Sequence, residues 1–181
     1  EKPNTPISKR ANIGLYYIRN WKLLFEGIDH VLKTVPNKGE WYLTDAFQYM
    51  IDHGAKIKVV DVEGWYDAGQ LETLLETNQT MLEKGRARRP SELGAGATII
   101  DPVYIEDGAT IENATVGPNV SLGANSTVRN ATIRNAVIGN NASILDAKLH
   151  DTFLGDHVTV HGVCGALNLG DHSEIRTTPG A

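Results

Sequence analysis

A repeat of five or six residues restricts the possible folds of this sequence more than any other feature. From Ile100 to Val160, a branched apolar residue recurs at intervals of five or six positions. An amphipathic helix would need apolar residues three or four apart, and hairpins would place turn signals roughly 8–12 residues apart, so neither explains the spacing. The series consists of Ile100, Ile105, Ile111, Val116, Leu122, Val128, Ile133, Ile138, Ile144, Leu149, Leu154 and Val160.

The residues around this series indicate a parallel β-helix. Each coil of such a solenoid has three short flat faces, and one large apolar residue per face fills the axis. A small residue fits where space narrows, and each corner needs a residue that tolerates unusual φ angles. Twelve apolar positions at three per coil predict roughly four coils. The small residues are Ala109, Ala114, Ser126, Ala131, Ala136, Ala142, Ala147 and Thr152, and the turn formers include Gly117, Gly123, Asn130, Asn135, Gly139 and Asn141.

The first 85 residues follow a different pattern, in which helix and strand signals alternate. Short apolar runs predict buried strands, whereas apolar residues three and four apart predict helices. This mixture is typical of an α/β domain. The predicted strands are 11–18 and 57–62, and the predicted helices are 21–32, a helix capped by Thr44 that stops at Gly54, and 70–84.

Charge and cysteine content exclude several classes of function. The chain of 181 residues has a formal net charge of −5, and its one short basic run, 86–89, is interpreted as a solvated linker. No nucleic-acid partner is therefore expected. No apolar run approaches the ~18 residues of a membrane span, and nothing resembles a signal peptide. The single cysteine, Cys164, cannot form an intrachain disulfide, which favours a cytoplasmic location.

Three blocks in the first half resemble the sugar-1-phosphate nucleotidyltransferases. They occur in the order and at the distances typical of that family, and together they cover residues 1–85 almost continuously. The first block is similar to the sugar-binding segment of the family. The blocks are Glu1-Lys2-Pro3 with Ala11-Asn-Ile-Gly14-Leu-Tyr16, then Gly39-Glu40 with Leu43-Thr44-Asp45-Ala46, and then Trp65-Tyr-Asp67-Ala-Gly69 with Leu74-Leu75-Glu-Thr-Asn78.

The repeat and the tail 169–174 resemble the long, thymidylyltransferase-type members of this family, which carry a left-handed β-helix after the catalytic domain. The resemblance implies a partial, Rossmann-like α/β nucleotidyltransferase domain over residues 1–85 and a linker over 86–98. An all-β left-handed parallel β-helix of hexapeptide repeats with a short tail then follows over 99–181. A homo-oligomer is also expected.

The same resemblance implies the transfer of a nucleotidyl group from a nucleoside triphosphate to a sugar 1-phosphate, with release of pyrophosphate. The implied substrates are dTTP and glucose 1-phosphate, and the implied cofactor is Mg²⁺. Glu1 would accept hydrogen bonds from sugar hydroxyls, and Lys2 would hold the attacking phosphate. Asn12 and Gly14 would contact the sugar. Asp67 matches a Mg²⁺ ligand of the family, although it could instead cap the helix that follows it.

Other parts of the family's active site have no match in this sequence. The glycine-rich loop that holds the triphosphate, with its arginine and lysine, is not found, because the cluster at Gly94 and Gly96 lacks basic residues. The first metal-binding aspartate of the family is not found either. We therefore expect the chain to supply the sugar and metal side of a site and to be inactive alone. The start at Glu1 without an initiator Met suggests that a longer protein was cut.

Two other functions stay open at this point. Hexapeptide β-helices also occur in acyltransferases, in which a histidine acts as general base. His150, His157 and His161 fall in or near the late coils. The repeat has no long insertion of the kind that accompanies such a base, so solvent-facing turn histidines are favoured. The second alternative is a non-catalytic scaffold for oligomerisation.

Overall fold

A computed structural model of the chain describes residues 8–37 and 39–177. Contacts divide it into two compact units, residues 1–65 and residues 66–181. The first unit contains helices α1 (Trp21–Val31) and α2 (Leu43–Asp52). The second unit begins with helix α3 (Leu71–Met81), which ends in a wider turn over Leu82–Arg86, and the rest of it is a parallel β-helix.

Helices α1 and α2 pack closely because the contact contains a glycine. A Cβ atom at Gly27 would lie 2.9 Å from the carbonyl oxygen of Ala46, so a larger residue would push the helices apart. The prediction that Thr44 caps α2 is wrong. The helix already begins at Leu43 with Tyr42 as its N-cap, because the backbone at Tyr42 is extended and its carbonyl accepts from Asp45.

The two strands predicted in the first unit do not form. Residues 11–18 and 57–62 contain no strand, and residues 57–62 are all exposed. A strand needs a neighbour to satisfy its backbone groups, and none of the described segments lies in register beside either run. An exposed ion pair, with 3.0 Å between Arg10 and Asp61, connects the residue before the first run to the second run. The described part of the α/β region therefore consists of its helices and loops.

The β-helix has three faces, each with five parallel rungs among the described residues. Stacked partners are 17 positions apart at Thr98 and Thr115, and 16 apart at Thr127 and Ser143. The strands are β1 (Thr98–Ile99), β2 (Val103–Ile105), β3 (Thr110–Glu112), β4 (Thr115–Val116), β5 (Val120–Leu122), β6 (Thr127–Arg129), β7 (Thr132–Ile138), β8 (Ser143–Leu145), β9 (Lys148–Leu154), β10 (Thr159–His161), β11 (Cys164–Gly165), β12 (Asn168–Leu169) and β13 (Glu174–Arg176).

The apolar series fills the axis of this solenoid, as the sequence predicts, with one error. Eleven of its twelve members are at most 3% exposed, whereas Ile100 is 44% exposed. Ile99 pairs with Val116 and takes the inward position instead, because adjacent residues of a strand point to opposite sides. The predicted four coils become five rungs because the chain adds Leu169 and Ile175 to the core beyond Val160. The left-handed sense of winding stays a prediction.

The corners of the coils are built from residues with positive φ. Asn130, Asn135 and Asn141, predicted as turn formers, have φ angles of 47°, 45° and 55°. Asparagine, aspartate and histidine adopt this left-handed conformation more readily than other residues with a side chain. Gly123 serves differently, because a Cβ atom there would lie 2.6 Å from the carbonyl carbon of Gly139 in the next coil. It is needed for the close stacking of coils.

The segment 86–98 lies along the first coil of the β-helix. The Arg88 amide donates to the Val103 carbonyl at 3.0 Å, and the Arg88 carbonyl accepts from Ile105 at 2.7 Å. Farther along, Leu93 and Ala97 pack against the apolar core. This segment therefore covers the end of the axis that would otherwise expose apolar side chains.

Candidate functional site

The structure describes three of the five predicted site residues. Glu1 and Lys2 lie outside the described residues. Asn12 and Gly14 belong to the first unit, whereas Asp67 belongs to the second.

Asn12 and Gly14 form a tight turn in the first unit. The Gly14 amide donates to Oδ1 of Asn12 at 3.0 Å, a turn in which the side chain replaces a backbone acceptor. Gly14 has a φ of +80°, and the position of a Cβ atom there is open on all sides. The reason for glycine is therefore backbone conformation, and the open space leaves room for a ligand beside it.

An aromatic residue fixes this turn to helix α2. The Nδ2 atom of Asn12 donates to the hydroxyl of Tyr16 at 2.5 Å. The Tyr16 ring packs edge-on against Phe47 of α2, with 4.8 Å between the ring centroids. Tyr16 stood in the family-like block without an assigned role, and no spacing rule connected it to Phe47. The structure shows it as the anchor of the Asn12–Gly14 turn.

Asp67 lies in a loop that the second unit holds at two points. Its Oδ1 atom accepts a hydrogen bond from the Gly69 amide at 2.9 Å. Its carbonyl oxygen accepts from the hydroxyl of Thr77 on α3 at 2.6 Å. Both contacts are local to the loop and the helix after it, so the orientation of the carboxylate follows from the Asp67–Gly69 turn and the position of α3.

The structure excludes a helix-capping role for Asp67. The N-cap of α3 is Gln70, whose amide donates to Oγ1 of Thr73 at 3.2 Å. Thr73 thus satisfies the amide of the N-cap residue without help from Asp67. The carboxylate is half-buried, and its Oδ2 atom has no hydrogen-bond partner among residues 8–37 and 39–177.

This carboxylate suits a Mg²⁺ ion that is held mainly by substrate. Magnesium prefers hard oxygen donors and is commonly bound by one or two carboxylates together with substrate phosphates and waters. Within the part of the chain that the structure describes, no three His, Cys, Asp or Glu side chains gather into a cluster that could hold a metal. Asp67 with one available oxygen therefore fits a substrate-assisted site, whereas a site made only of protein ligands is not found there.

The last residue of the third family-like block connects α3 to the β-helix. Oδ1 of Asn78 accepts from the hydroxyl of Ser121 on β5 at 2.5 Å, and Nδ2 donates to the Asn119 carbonyl at 3.2 Å. On the same helix and the turn after it, Leu75 and Leu82 are buried. Sequence reasoning used Asn78 only as part of a motif and did not detect this role, because nothing in its spacing points to Ser121.

The histidines considered for acyl transfer lie on the outside of the β-helix. His157 occupies a corner with φ of 60° and stacks on His172, with 4.8 Å between the ring centroids. His161 contacts Asp146 at 3.2 Å. A groove of about 420 Å³ runs along the β-helix, but none of His150, His157 and His161 lines it. The geometry therefore favours the interpretation as turn and surface histidines.

The pKa of Asp151 is shifted by its neighbours. Its Oδ1 atom accepts from the Asn135 side chain at 2.6 Å, and its Oδ2 atom contacts Nδ1 of His150 at 2.8 Å. The hydrogen bond from Asn135 has the largest effect, followed by that from His150. Both favour the charged carboxylate and therefore hold the pKa of Asp151 below its usual value. The hydrogen bond between Asn135 and Asp151 is partly exposed and joins two neighbouring coils, so its role is structural.

The model of the "Nucleotidyl transferase" family matches residues 1–84. A glucose-1-phosphate thymidylyltransferase of Streptomyces antibioticus is 26% identical over 97% of the chain and 55% of its own length. The low-salt glycan biosynthesis nucleotidyltransferase Agl11 of Haloferax volcanii is 36% identical over 86% of the chain and 48% of its own length.

A third relative is named for the transfer of a different nucleotide from the first. A glucose-1-phosphate adenylyltransferase of Mycoplasma mobile is 28% identical over 71% of the chain and 38% of its own length. The chain thus spans about half the length, or less, of the curated relatives it matches. In the described residues, each helix is too short or too polar to cross a membrane.

Proposed function

We propose that this chain, which belongs to the nucleotidyl transferase family through residues 1–84, contributes the sugar-binding and metal-binding residues of a sugar-1-phosphate nucleotidyltransferase. The observation that carries the proposal is the Asp67 loop. Its motif matches the family, its carboxylate is oriented by Gly69 and has an available oxygen, and it takes no part in capping α3.

The proposed reaction joins two polyanions. An oxygen of the sugar 1-phosphate attacks the α-phosphorus of the nucleoside triphosphate, the new P–O bond forms, and the bond to the leaving pyrophosphate breaks. Such a reaction depends mainly on charge neutralisation and in-line positioning. Lys2 would neutralise the attacking phosphate, and Glu1 would accept hydrogen bonds from sugar hydroxyls. The turn of Asn12 and Gly14 would contact the sugar through its open backbone.

Asp67 would hold Mg²⁺ through its carboxylate. When bound, the ion would neutralise phosphate oxygens and lower the cost of the charge that develops during transfer. The chain's own contribution is to fix the direction of the carboxylate, through the hydrogen bonds from Gly69 to Oδ1 and from Thr77 to the Asp67 carbonyl.

For the substrates we propose glucose 1-phosphate and dTTP. A relative named as a glucose-1-phosphate thymidylyltransferase aligns over 97% of the chain, including the β-helix, whereas the adenylyltransferase aligns over 71%. The proposal also includes a cytoplasmic, homo-oligomeric protein, as the family resemblance implies. Acyl transfer is not proposed, because the three histidines lie away from the groove.

A pyrophosphate-release assay tests the function. In the complete enzyme, meaning this chain joined to a triphosphate-binding half, we expect turnover with glucose 1-phosphate, fastest with dTTP. The isolated chain should release none, since its sequence has no match to the triphosphate loop. Lys2→Ala should raise the KM for the sugar phosphate, whereas Lys9→Ala is the matched control. Absence of turnover by the complete enzyme with every common triphosphate would contradict the proposal.

A further inference from the structure

We propose that the β-helix positions the Asp67 loop through helix α3, and that Thr77 and Asn78 are the positioning residues. This inference rests on the proposed function, because it concerns the carboxylate assigned there to Mg²⁺. The β-helix would then contribute to the reaction and would not serve only as an appended structural domain.

Two adjacent residues of α3 make polar contacts in different directions. The Thr77 hydroxyl donates to the Asp67 carbonyl at 2.6 Å. Asn78 binds the β-helix through both atoms of its amide, to Ser121 at 2.5 Å and to the Asn119 carbonyl at 3.2 Å. The Asp67 loop and strand β5 are therefore linked through consecutive residues of one helical turn. A displacement of α3 would have to break contacts on both sides.

The β-helix side of this link is built to resist movement. Ser121 lies on β5 between Val120 and Leu122, which are buried in the axis of the solenoid. Strand β5 pairs with β2 on one side and with β7 on the other. Amide hydrogens exchange slowly in parallel strands that have hydrogen-bonded neighbours on both sides, and a packed core limits the movement of such strands. Asn78 therefore binds to a rigid surface.

The link matters for the carboxylate because Asp67 has few other contacts. Gly69 fixes Oδ1 relative to the loop, but that hydrogen bond does not connect the loop to α3. Thr77 is the contact that fixes the loop backbone relative to α3. A second contact assists it: the Lys84 ammonium reaches the hydroxyl of Tyr66, next to Asp67. Loss of the Thr77 hydroxyl should thus loosen the carboxylate without unfolding the unit.

The test compares two threonines of the same helix. Thr77→Val removes the hydroxyl that reaches Asp67, whereas Thr80→Val removes one that bonds back to the Glu76 carbonyl within α3. In the isolated chain, hydrogen exchange of the Gly69 amide is followed by NMR. We expect it to be about three- to tenfold faster in Thr77→Val, because a loop without the Thr77 hydrogen bond opens more often and then breaks the bond from Gly69 to Asp67. In Thr80→Val the rate should be unchanged. Thr77→Ser should restore the slow rate.

The β-helix side has its own matched pair. Asn78→Ala removes both contacts to the β-helix. The control is the neighbouring substitution Gln79→Ala, which removes only a contact to Glu83, four residues further along the chain. Gly69 exchange should be faster in Asn78→Ala alone. In the complete enzyme, Thr77→Val and Asn78→Ala should raise the Mg²⁺ concentration for half-maximal rate several-fold and leave the KM for the sugar phosphate unchanged.

The possible failures can be told apart. If Gly69 exchange in Thr77→Val and Asn78→Ala equals that in their controls, the link to the β-helix is wrong, whatever the enzyme does. If exchange is faster but the Mg²⁺ dependence stays the same, the contacts are structural and the positioning role is wrong. If Asp67→Asn itself leaves the Mg²⁺ dependence unchanged, the proposed function is at fault, and this inference is withdrawn with it.

Discussion

The two units of this chain differ in the sequence separation between the residues that must pack together. In the β-helix every strand pairs with one about a coil away, and large side chains such as Ile105, Ile111 and Ile133 are fully buried. In the first unit, Leu15 is 80% exposed and Tyr17 is 93% exposed. A repeat completes its core from near neighbours, whereas an α/β sheet needs strands from distant parts of the chain.

The two units also differ in their proposed roles. Large exposed apolar residues on a folded unit usually mark a surface that contacts another protein segment or a ligand. The predicted sugar-side residues Asn12 and Gly14 lie in the unit with the exposed residues, whereas Asp67 lies in the unit with the completed core. We therefore propose that the β-helix provides most of the stability and that the first unit provides most of the substrate recognition.

The largest expected effect is a contrast in local stability between the units. Amides of the inner strands β5, β7 and β8 should exchange at least about 10³-fold more slowly than those of residues 11–18 and 57–62, which lack ladder bonds. Hydrogen exchange with peptide resolution measures both in one sample. Similar protection in the two units would contradict the comparison. Limited proteolysis provides a control, with first cuts expected before residue 66.

A charge placed in the axis should disrupt the β-helix strongly. Ile133 is fully buried, so Ile133→Asp would place a carboxylate among branched side chains and cost at least about 3 kcal/mol of unfolding free energy. Arg134 is the next residue and is exposed, so Arg134→Asp should cost about 0.5 kcal/mol or less. Denaturant melts of the second unit compare them. Equal losses would mean that the assignment of inward and outward positions is wrong.

Two glycines on one edge of the solenoid test the close stacking of coils. A Cβ atom at Gly123 would lie 2.6 Å from the next coil, whereas one at Gly170 would meet nothing within 4 Å. Gly123→Ala should therefore cost about 1–3 kcal/mol through overpacking. Gly170→Ala should be neutral or slightly stabilising, because it restricts the unfolded chain. Thermal melts distinguish these, and a harmless Gly123→Ala would show that the coils can separate at no cost.

The smallest expected effect is a pH dependence at one corner. The pKa of Asp151 is lowered in the folded chain by its hydrogen bonds from Asn135 and His150, so its contribution to stability is present above the unfolded pKa of ~3.9. It is lost as the pH falls through the folded pKa. Asp151→Asn should reduce stability by a few tenths of a kcal/mol at pH 7, since the group is mostly exposed. That deficit should vanish at low pH, and a constant deficit would exclude the charge as its cause.

The sequence predicted the β-helix well because each position of a repeat is supported by equivalent positions in other coils. The apolar series and the small residues before it were correct, apart from Ile100, where two adjacent isoleucines made the register ambiguous. The positive φ at Asn130, Asn135 and Asn141 was equally readable, since asparagine is favoured there for a local reason.

The first unit and the site were less predictable from sequence. Apolar runs at 11–18 and 57–62 have strand character, but a strand also needs a partner, and periodicity cannot supply one. The roles of Tyr16, Thr77 and Asn78 depend on contacts that no spacing reveals. Motif resemblance located the Asp67 loop, whereas only the structure separated Asp67 from the cap of α3.

The most direct test of the central claim is the dependence of turnover on Mg²⁺ in Asp67→Asn of the complete enzyme. The substitution keeps size and hydrogen bonding but removes the charge. We expect a rate drop of about 10²-fold or more, roughly 2.7 kcal/mol of transition-state stabilisation, with an unchanged melting curve. Glu72→Gln, an exposed change in the first turn of α3, is the control and should retain full activity. Normal turnover of Asp67→Asn with an unchanged Mg²⁺ dependence would contradict the account.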